Sequence, residues 1–386
     1  MTTTSFISRL GLRLPVVQGP MTGSDTPALA AAVSAAGGLG MLGCGMRSPT
    51  AMAEAAALVR SQTDQPFGMN LFVQPTPTPD DASVQAALQR LVPLYAEFGL
   101  VPQTPAQWCE DFDAQFEALL AARPAVASFT FGILTAQQVQ RLQSAGSYVV
   151  GTATTVAEAR AWAAVGADAV CVSGMEAGGH RGTFLPRSAA AAAQRAPEAQ
   201  PQPSPPHDGP SIQDFEASMV GTLALVPQCV RALSIPVIAA GGIMDGRGIA
   251  AAQALGAQAV QMGTAFLVCP ESGIGPAYRA ALAAATETDT RVTRTYSGRH
   301  ARGIVNTLMD RLEPDAAALL PYPLQNALTG PLRKAAAQAG RADYLSLWAG
   351  QGVAAARPLP AAVLLATLEA EWRAAMAAIT AQSGCH

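Results

Sequence analysis

Charge is scarce in this chain. Of 386 residues only 13% are charged, and 24 Lys plus Arg stand against 27 Asp plus Glu, for a net charge of −3. No basic block occurs, so nucleic-acid binding by phosphate neutralisation has nothing to work with. Aromatic residues make up 5% of the chain, and there are four histidines. The six cysteines, Cys44, Cys109, Cys171, Cys229, Cys269 and Cys385, show no CxxC spacing. They read as reduced, mostly buried thiols of a cytoplasmic protein. No GxSxG, Walker loop or HExxH is found. The N-terminal stretch lacks the continuous apolar core and cleavage site of a signal peptide. Two uncharged runs, 26–46 and 248–270, approach the length of a membrane span. Pro27, a cluster of glycines, Gln253, Gln258 and Gln261 interrupt them. Each therefore predicts an Ala-rich helix, a turn and a buried strand, and no membrane segment.

The chain is instead rich in small apolar residues: 50% is hydrophobic, with the surplus in Ala and Gly. That excludes global disorder and allows a sizeable core. Eight short apolar runs read as strands: 15–18, 39–42, 67–71, 125–129, 148–151, 169–172, 236–239 and 259–262. None alternates cleanly, as expected of strands buried on both faces. Helical stretches at 50–60, 136–144, 156–165 and 246–255 fill most of the intervals. One phrase recurs where helix gives way to strand: AGGLGML (36–42), AGSYVVG (145–151), VGADAVCV (165–172) and LGAQAVQM (255–262). In each, a glycine stands where a helix would end in a left-handed residue. Repeated helix–Gly–strand units imply parallel strands with crossover helices, and eight of them suggest a closed α/β (β/α)₈ TIM barrel.

The barrel is expected over 1–285. A helical excursion interrupts it after the third strand (75–124), and a Pro-, Gln- and Ala-rich surface loop follows at 186–210. Residues 286–386 lack the barrel rhythm and read as a mainly helical cap, with helices near 332–339 and 361–377.

Chemistry in such a barrel belongs at the C-terminal ends of its strands. Gly19-Pro20-Met21 follows the first run, a turn able to aim backbone amides at the mouth. Asn70 ends the third, where an amide can donate to and accept from a flat heterocycle or simply close the strand. The sixth run leads into Ser173-Gly174-Met175-Glu176-Ala177-Gly178-Gly179-His180-Arg181-Gly182, with four glycines in ten residues. A histidine in so glycine-rich a loop is a candidate general base. The Glu176/His180 spacing would suit a metal only on a helix, which Gly178-Gly179 oppose, so no metal is expected. Gly241-Gly242 and the Gln261-Met262-Gly263-Thr264 turn follow the last two runs, where such barrels bind phosphate. Gly38-Leu39-Gly40-Met41-Leu42-Gly43 matches GxGxxG, but a helix precedes it and a strand lies inside it. A dinucleotide fold needs the opposite order. Arg299 and Arg302, in an arginine-rich turn, could receive an anionic group or merely fasten the cap.

PVVQGPM (15–21), GMNLF (68–72), SFTFG (128–132), GMEAGGHRG (174–182), IPVIAAGGIMDGRG (235–248), LGAQAVQMGTAFL (255–267) and SGRHARG (297–303) together resemble the FMN-dependent nitronate monooxygenases, formerly 2-nitropropane dioxygenases, and most closely their first class. The resemblance implies FMN contacts at Gly19, Pro20, Met21, Asn70 and Gly178, and phosphate contacts at Gly241, Gly242, Gln261, Met262, Gly263 and Thr264. It implies His180 as base. It also implies oxidation of alkyl nitronates by O₂ to a carbonyl compound and nitrite. Arg299 and Arg302 are, from the arginine-rich turn itself, the candidates to steer a carboxylated substrate. Two positions depart from the family pattern: Ser173 stands where a flavin-contacting Gln is usual, and Thr130 where a His is. The loop after His180 is also long. Two other readings stay open: an FMN-dependent NAD(P)H reductase of enoyl-thioester or quinone type, and a flavin-free barrel binding a phosphorylated metabolite. A homodimer stays open as a partner.

Overall fold

The computed structural model describes residues 5–186 and 211–383, so the Pro-rich stretch 187–210 lies outside the described residues. Eight strands form one parallel sheet: β1 (Val16–Gln18), β2 (Gly40–Gly43), β3 (Phe67–Phe72), β4 (Val126–Thr130), β5 (Tyr148–Ala153), β6 (Ala169–Ser173), β8 (Val237–Ala240) and β9 (Ala259–Met262). The order β1-β9-β8-β6-β5-β4-β3-β2 is closed by a parallel bridge between Val17 and Leu39. The molecule is a (β/α)₈ barrel, and all eight apolar runs are its staves.

Many of the helices are started by a small polar side chain that accepts an orphan amide. Ser48 caps Pro49–Arg60, Thr135 caps Ala136–Ser144, and Thr155 caps Val156–Ala164. The repeated glycines do end the helices in left-handed backbone: φ is +90° at Gly37, +95° at Gly146, +89° at Gly166 and +96° at Gly256. The GxGxxG stretch is a packing device. A Cβ on Gly40 would lie 2.0 Å from the Ala30 carbonyl oxygen, so glycine lets β2 press against helix Pro27–Ala35. No helix among the described residues is long and apolar enough to cross a membrane.

A second sheet lies outside the barrel: β7 (Gly179–His180), β10 (Thr290–Thr293) and β11 (Ala301–Ile304), in the order β10-β11-β7. The sequence reading of 286–386 as mainly helical did not include β10 and β11, nor did the loop reading of 173–182 include β7. The apolar packing also cuts across the expected division at 285. The excursion helix Asp81–Ala96 buries Val84, Leu88, Leu91 and Leu94 against Leu308, Leu312, Leu328 and Leu332 of the cap. The terminal helix Ala361–Ser383 instead places Leu364, Leu365 and Leu368 in the barrel core. Burying a Leu side chain is worth about 1.5–3 kcal/mol, so each group is a cohesive unit built from segments distant in the chain.

Candidate active site

A cavity of about 620 Å³ opens at the C-terminal ends of the strands, a volume suited to a small ligand. Gly19, Pro20, Met21, Asn70, Ser173, Gly178, His180, Gly241, Gly242, Gln261, Met262, Gly263 and Thr264 all line it. Arg299 and Arg302 do not.

The local chemistry explains the placement. The Gly19 amide donates to the Met262 carbonyl at 2.9 Å, tying β1 to β9. Asp25, 4% exposed, fixes the loop from below: its carboxylate accepts from the amides of Met21 and Gly43, both at 2.7 Å, and from Arg47 at 3.2 Å. Burial raises the Asp25 pKa, while these hydrogen bonds and the Arg47 charge pull it down. The Asn70 Nδ2 donates to the Ser128 Oγ at 2.9 Å, fixing its amide plane. Glu176 holds the loop after β6 by accepting from the Thr222 amide and hydroxyl at 2.9 and 2.8 Å. Gly178 is pressed so closely to the 349–350 backbone that a Cβ would sit 2.4 Å from the Gly350 nitrogen.

Gly241 and Gly242, which line the cavity, have φ of +111° and +73°, a backbone that favours glycine. Among the described residues the amides of Gly241, Gly242 and Gly263 donate to no protein acceptor. Orphan amides in two adjacent loops form a cradle for an oxyanion such as a phosphate. The residues present thus fit a flat phosphorylated cofactor of the FMN kind, with glycines along its path and a fixed amide beside it.

His180 is positioned by the cap rather than by the barrel. Strand β7 pairs with β11, matching His180 to Ala301 and Gly179 to Arg302. The ring Nε2 lies 2.8 Å from the Ser297 Oγ. Ser297 is buried, and its hydroxyl also reaches the Arg299 carbonyl at 3.2 Å. With the hydroxyl proton given to that carbonyl, Oγ receives the Nε2–H, and the imidazole lone pair stands on Nδ1. The rings of Trp348, Phe131 and Tyr322 surround the imidazole at 5.2, 5.4 and 5.7 Å. Desolvation, aided by the charges of Arg299 and Arg333, pushes the His180 pKa down to about 3. The ring is therefore neutral near pH 7 and can accept a proton.

Arg299 and Arg302 act as fasteners. Arg299 donates to the carbonyls of Arg181 and Thr183, and Arg302 to those of Met175 (3.1 Å) and Thr290. They hold the two flanks of the His180 loop, and the structure does not bring them to the cavity where a substrate would be steered. The cation that does line the cavity is Arg333, which sequence reading missed. Its guanidinium donates to the Thr329, Ser346 and Asn326 oxygens at 2.8–3.2 Å. Among the described residues it pairs with no carboxylate, and burial lowers its pKa. Nothing in the sequence around Arg333 signals this role, because the helix Leu324–Gln338 belongs to the cap. The aromatic wall of Phe131, Tyr322 and Trp348 was missed for the same reason, save that Phe131 lay within SFTFG.

A closed barrel whose mouth gathers orphan amides and an enclosed histidine on one cavity has the arrangement of a barrel enzyme's active site. Comparison with known proteins specifies it. Residues 4–371 match the family model described as nitronate monooxygenase. The chain is 44% identical over 380 residues to a nitronate monooxygenase of Pseudomonas aeruginosa, covering 96% of this chain and 99% of that one. It is 38% identical over 352 residues to a probable nitronate monooxygenase of Bacillus subtilis, covering 90% and 92%. Among solved structures it is similar to the nitroalkane oxidase from Streptomyces ansochromogenes, with TM-score 0.84, 40% identity and 97% and 99% covered. It is also similar to FabK from Thermotoga maritima, with TM-score 0.72, 27% identity and 99% and 100% covered. The chain belongs to the nitronate monooxygenase family, a family of oxidoreductases.

Proposed function

We propose that the chain oxidises alkyl nitronates with O₂ to a carbonyl compound and nitrite, using FMN held at the barrel mouth. The observation that carries this reading is the convergence of the orphan amides of Gly241, Gly242 and Gly263 with the His180 imidazole on one cavity. The family membership supports it. FMN, when bound, supplies the electron acceptance and oxygen activation that no side chain provides.

The protein's part is binding, orientation and proton control. The Gly241–Gly242 and Gly263–Thr264 loops hold the phosphate. The Gly19-Pro20-Met21 turn, Asn70, Ser173 and Gly178 line the rest of the cofactor's path. His180, neutral at working pH, takes the α-proton from a neutral nitroalkane at Nδ1. For a preformed nitronate no proton is removed, and the imidazole takes no part beyond lining the chamber. Arg333 offers positive charge to the nitronate, whose negative charge has no other cation among the residues lining the cavity. The aromatic wall keeps bulk water from the reacting carbon.

The test is oxygen uptake by FMN-loaded protein given ethyl nitronate without NAD(P)H, with nitrite measured in the same vessel. Uptake matched by nitrite is expected. No uptake, together with rapid anaerobic bleaching of the flavin by NADH, would favour a reductase.

A further inference from the structure

Phe131 carries the least comfortable backbone near the site. Its φ is +78°, the left-handed region that a bulky side chain rarely enters. Strand alternation shows what the distortion achieves. Along β4, Ser128 and Thr130 line the cavity, while Phe129 points to the helix layer and packs against Trp162. Period-two geometry would send residue 131 the same way as 129. The left-handed turn redirects the Phe131 ring into the mouth. There it stacks on Phe72 with centroids 4.3 Å apart and meets the Tyr322 edge at 5.3 Å, with the Arg299 guanidinium 4.1 Å over its face. The next residue is held as firmly: a Cβ on Gly132 would lie 2.7 Å from the Val73 carbonyl oxygen. Beyond this ring, among the described residues, lies a second cleft of about 1400 Å³. Phe131 and Tyr322 line both spaces.

We propose that Phe131 is a specificity-determining residue: with Tyr322 it forms the partition that ends the substrate chamber and so limits the chain length of the nitronate accepted. Backbone strain persists where the surroundings enforce it; here the Arg299 face contact, the Phe72 stack and the Gly132 packing do so. The substrate class is accordingly short-chain, because a longer alkyl tail would have to displace an aromatic ring pinned on three sides.

The inference rests on the nitronate-oxidising reading, and the experiment separates the two. FMN-loaded wild type and Phe131→Gly, which suits the left-handed backbone, are given ethyl, butyl and hexyl nitronate. In parallel, their protection against thermal unfolding by acetate, butyrate and hexanoate is measured. These planar anions resemble a nitronate and are not oxidised. Wild-type kcat/KM and carboxylate affinity are expected to stop rising, or to fall, as the chain lengthens. In Phe131→Gly each added methylene is expected to gain about fourfold in both, the preference of one buried CH₂ for an apolar site. Phe131→Leu keeps an apolar side chain against Phe72 and is expected to shift the profile the same way to a smaller extent. It decides the question if the glycine variant does not fold. An unchanged length profile in the variants would overturn the proposal. If no nitronate is oxidised yet the carboxylate profile shifts, the nitronate reading fails and the partition stands.

Discussion

Replacing His180 by Asn tests the proton chemistry most directly, because the proposed reaction gives the imidazole different work for two forms of one substrate. With a neutral nitroalkane the ring must remove a proton, and a positioned general base is worth roughly 10²–10⁴ in rate. With a preformed nitronate no proton is removed, so the replacement disturbs only polar contacts around the ring such as that to Ser297, worth about 0.5–1.5 kcal/mol, or between about twofold and tenfold. Asn is a polar side chain of smaller but comparable size that cannot take up the proton. Steady-state oxygen uptake with nitroethane and with ethyl nitronate is therefore expected to diverge. Nitroethane kcat/KM falls by about a hundredfold or more, and ethyl nitronate by less than about tenfold. Retained flavin absorbance shows that the cradle, built from other loops, is intact. Because burial holds the His180 pKa near 3, the wild-type nitroalkane profile should show no inflection from this ring between pH 5 and 8. Equal losses on both substrates with flavin retained would refute the reasoning, as would nitroethane turnover that survives unchanged.

Acid stability follows from the same burial. His180 and His300 are held at about 3 and about 4 in the folded protein, below the ordinary 6.5. Unfolded chains bind protons there that the native state does not, so stability is full above pH 6.5 and is lost as pH falls toward 4 and then 3. Urea unfolding at pH 7 and pH 5 should differ by at most about 2 kcal/mol per ring, and His180→Asn should flatten the slope. Gly178→Ala places a methyl group 2.4 Å from the Gly350 nitrogen. It is expected to weaken FMN binding at least about tenfold by flavin-fluorescence titration, since backbone cannot yield as a side chain can. Arg333→Met removes the cavity's cation and one of the charges that depress His180. It is expected to raise the KM for nitronate by about 10–100-fold and to lift the His180 pKa in an NMR titration.

The barrel was legible because its physics is local. A strand buried on both faces must be continuously apolar, and a helix that turns back into it must end in left-handed backbone. The eight runs and the glycines at 37, 146, 166 and 256 carry those two requirements openly. The glycine loops at the cavity were legible for a related reason. Gly241, Gly242 and Gly263 follow directly on β8 and β9, so finding the strands located the loops. What closes the site obeys no such rule. Strand β7 is two residues long, and it exists only because β11, more than 100 positions later, offers it an edge. Ser297 reaches His180 across 117 positions, and Arg333 comes from a cap helix whose partners include the excursion. Such contacts leave no period in the sequence, and the sequence placed the cation at Arg299 and Arg302 instead. The left-handed φ of Phe131 is hidden more deeply, for SFTF reads as plain strand. Only the neighbours that pin the ring reveal why the alternation breaks there. The loops proposed to hold the cofactor thus follow the barrel's own repeat. The residues proposed to govern proton transfer and substrate length arise where distant segments meet.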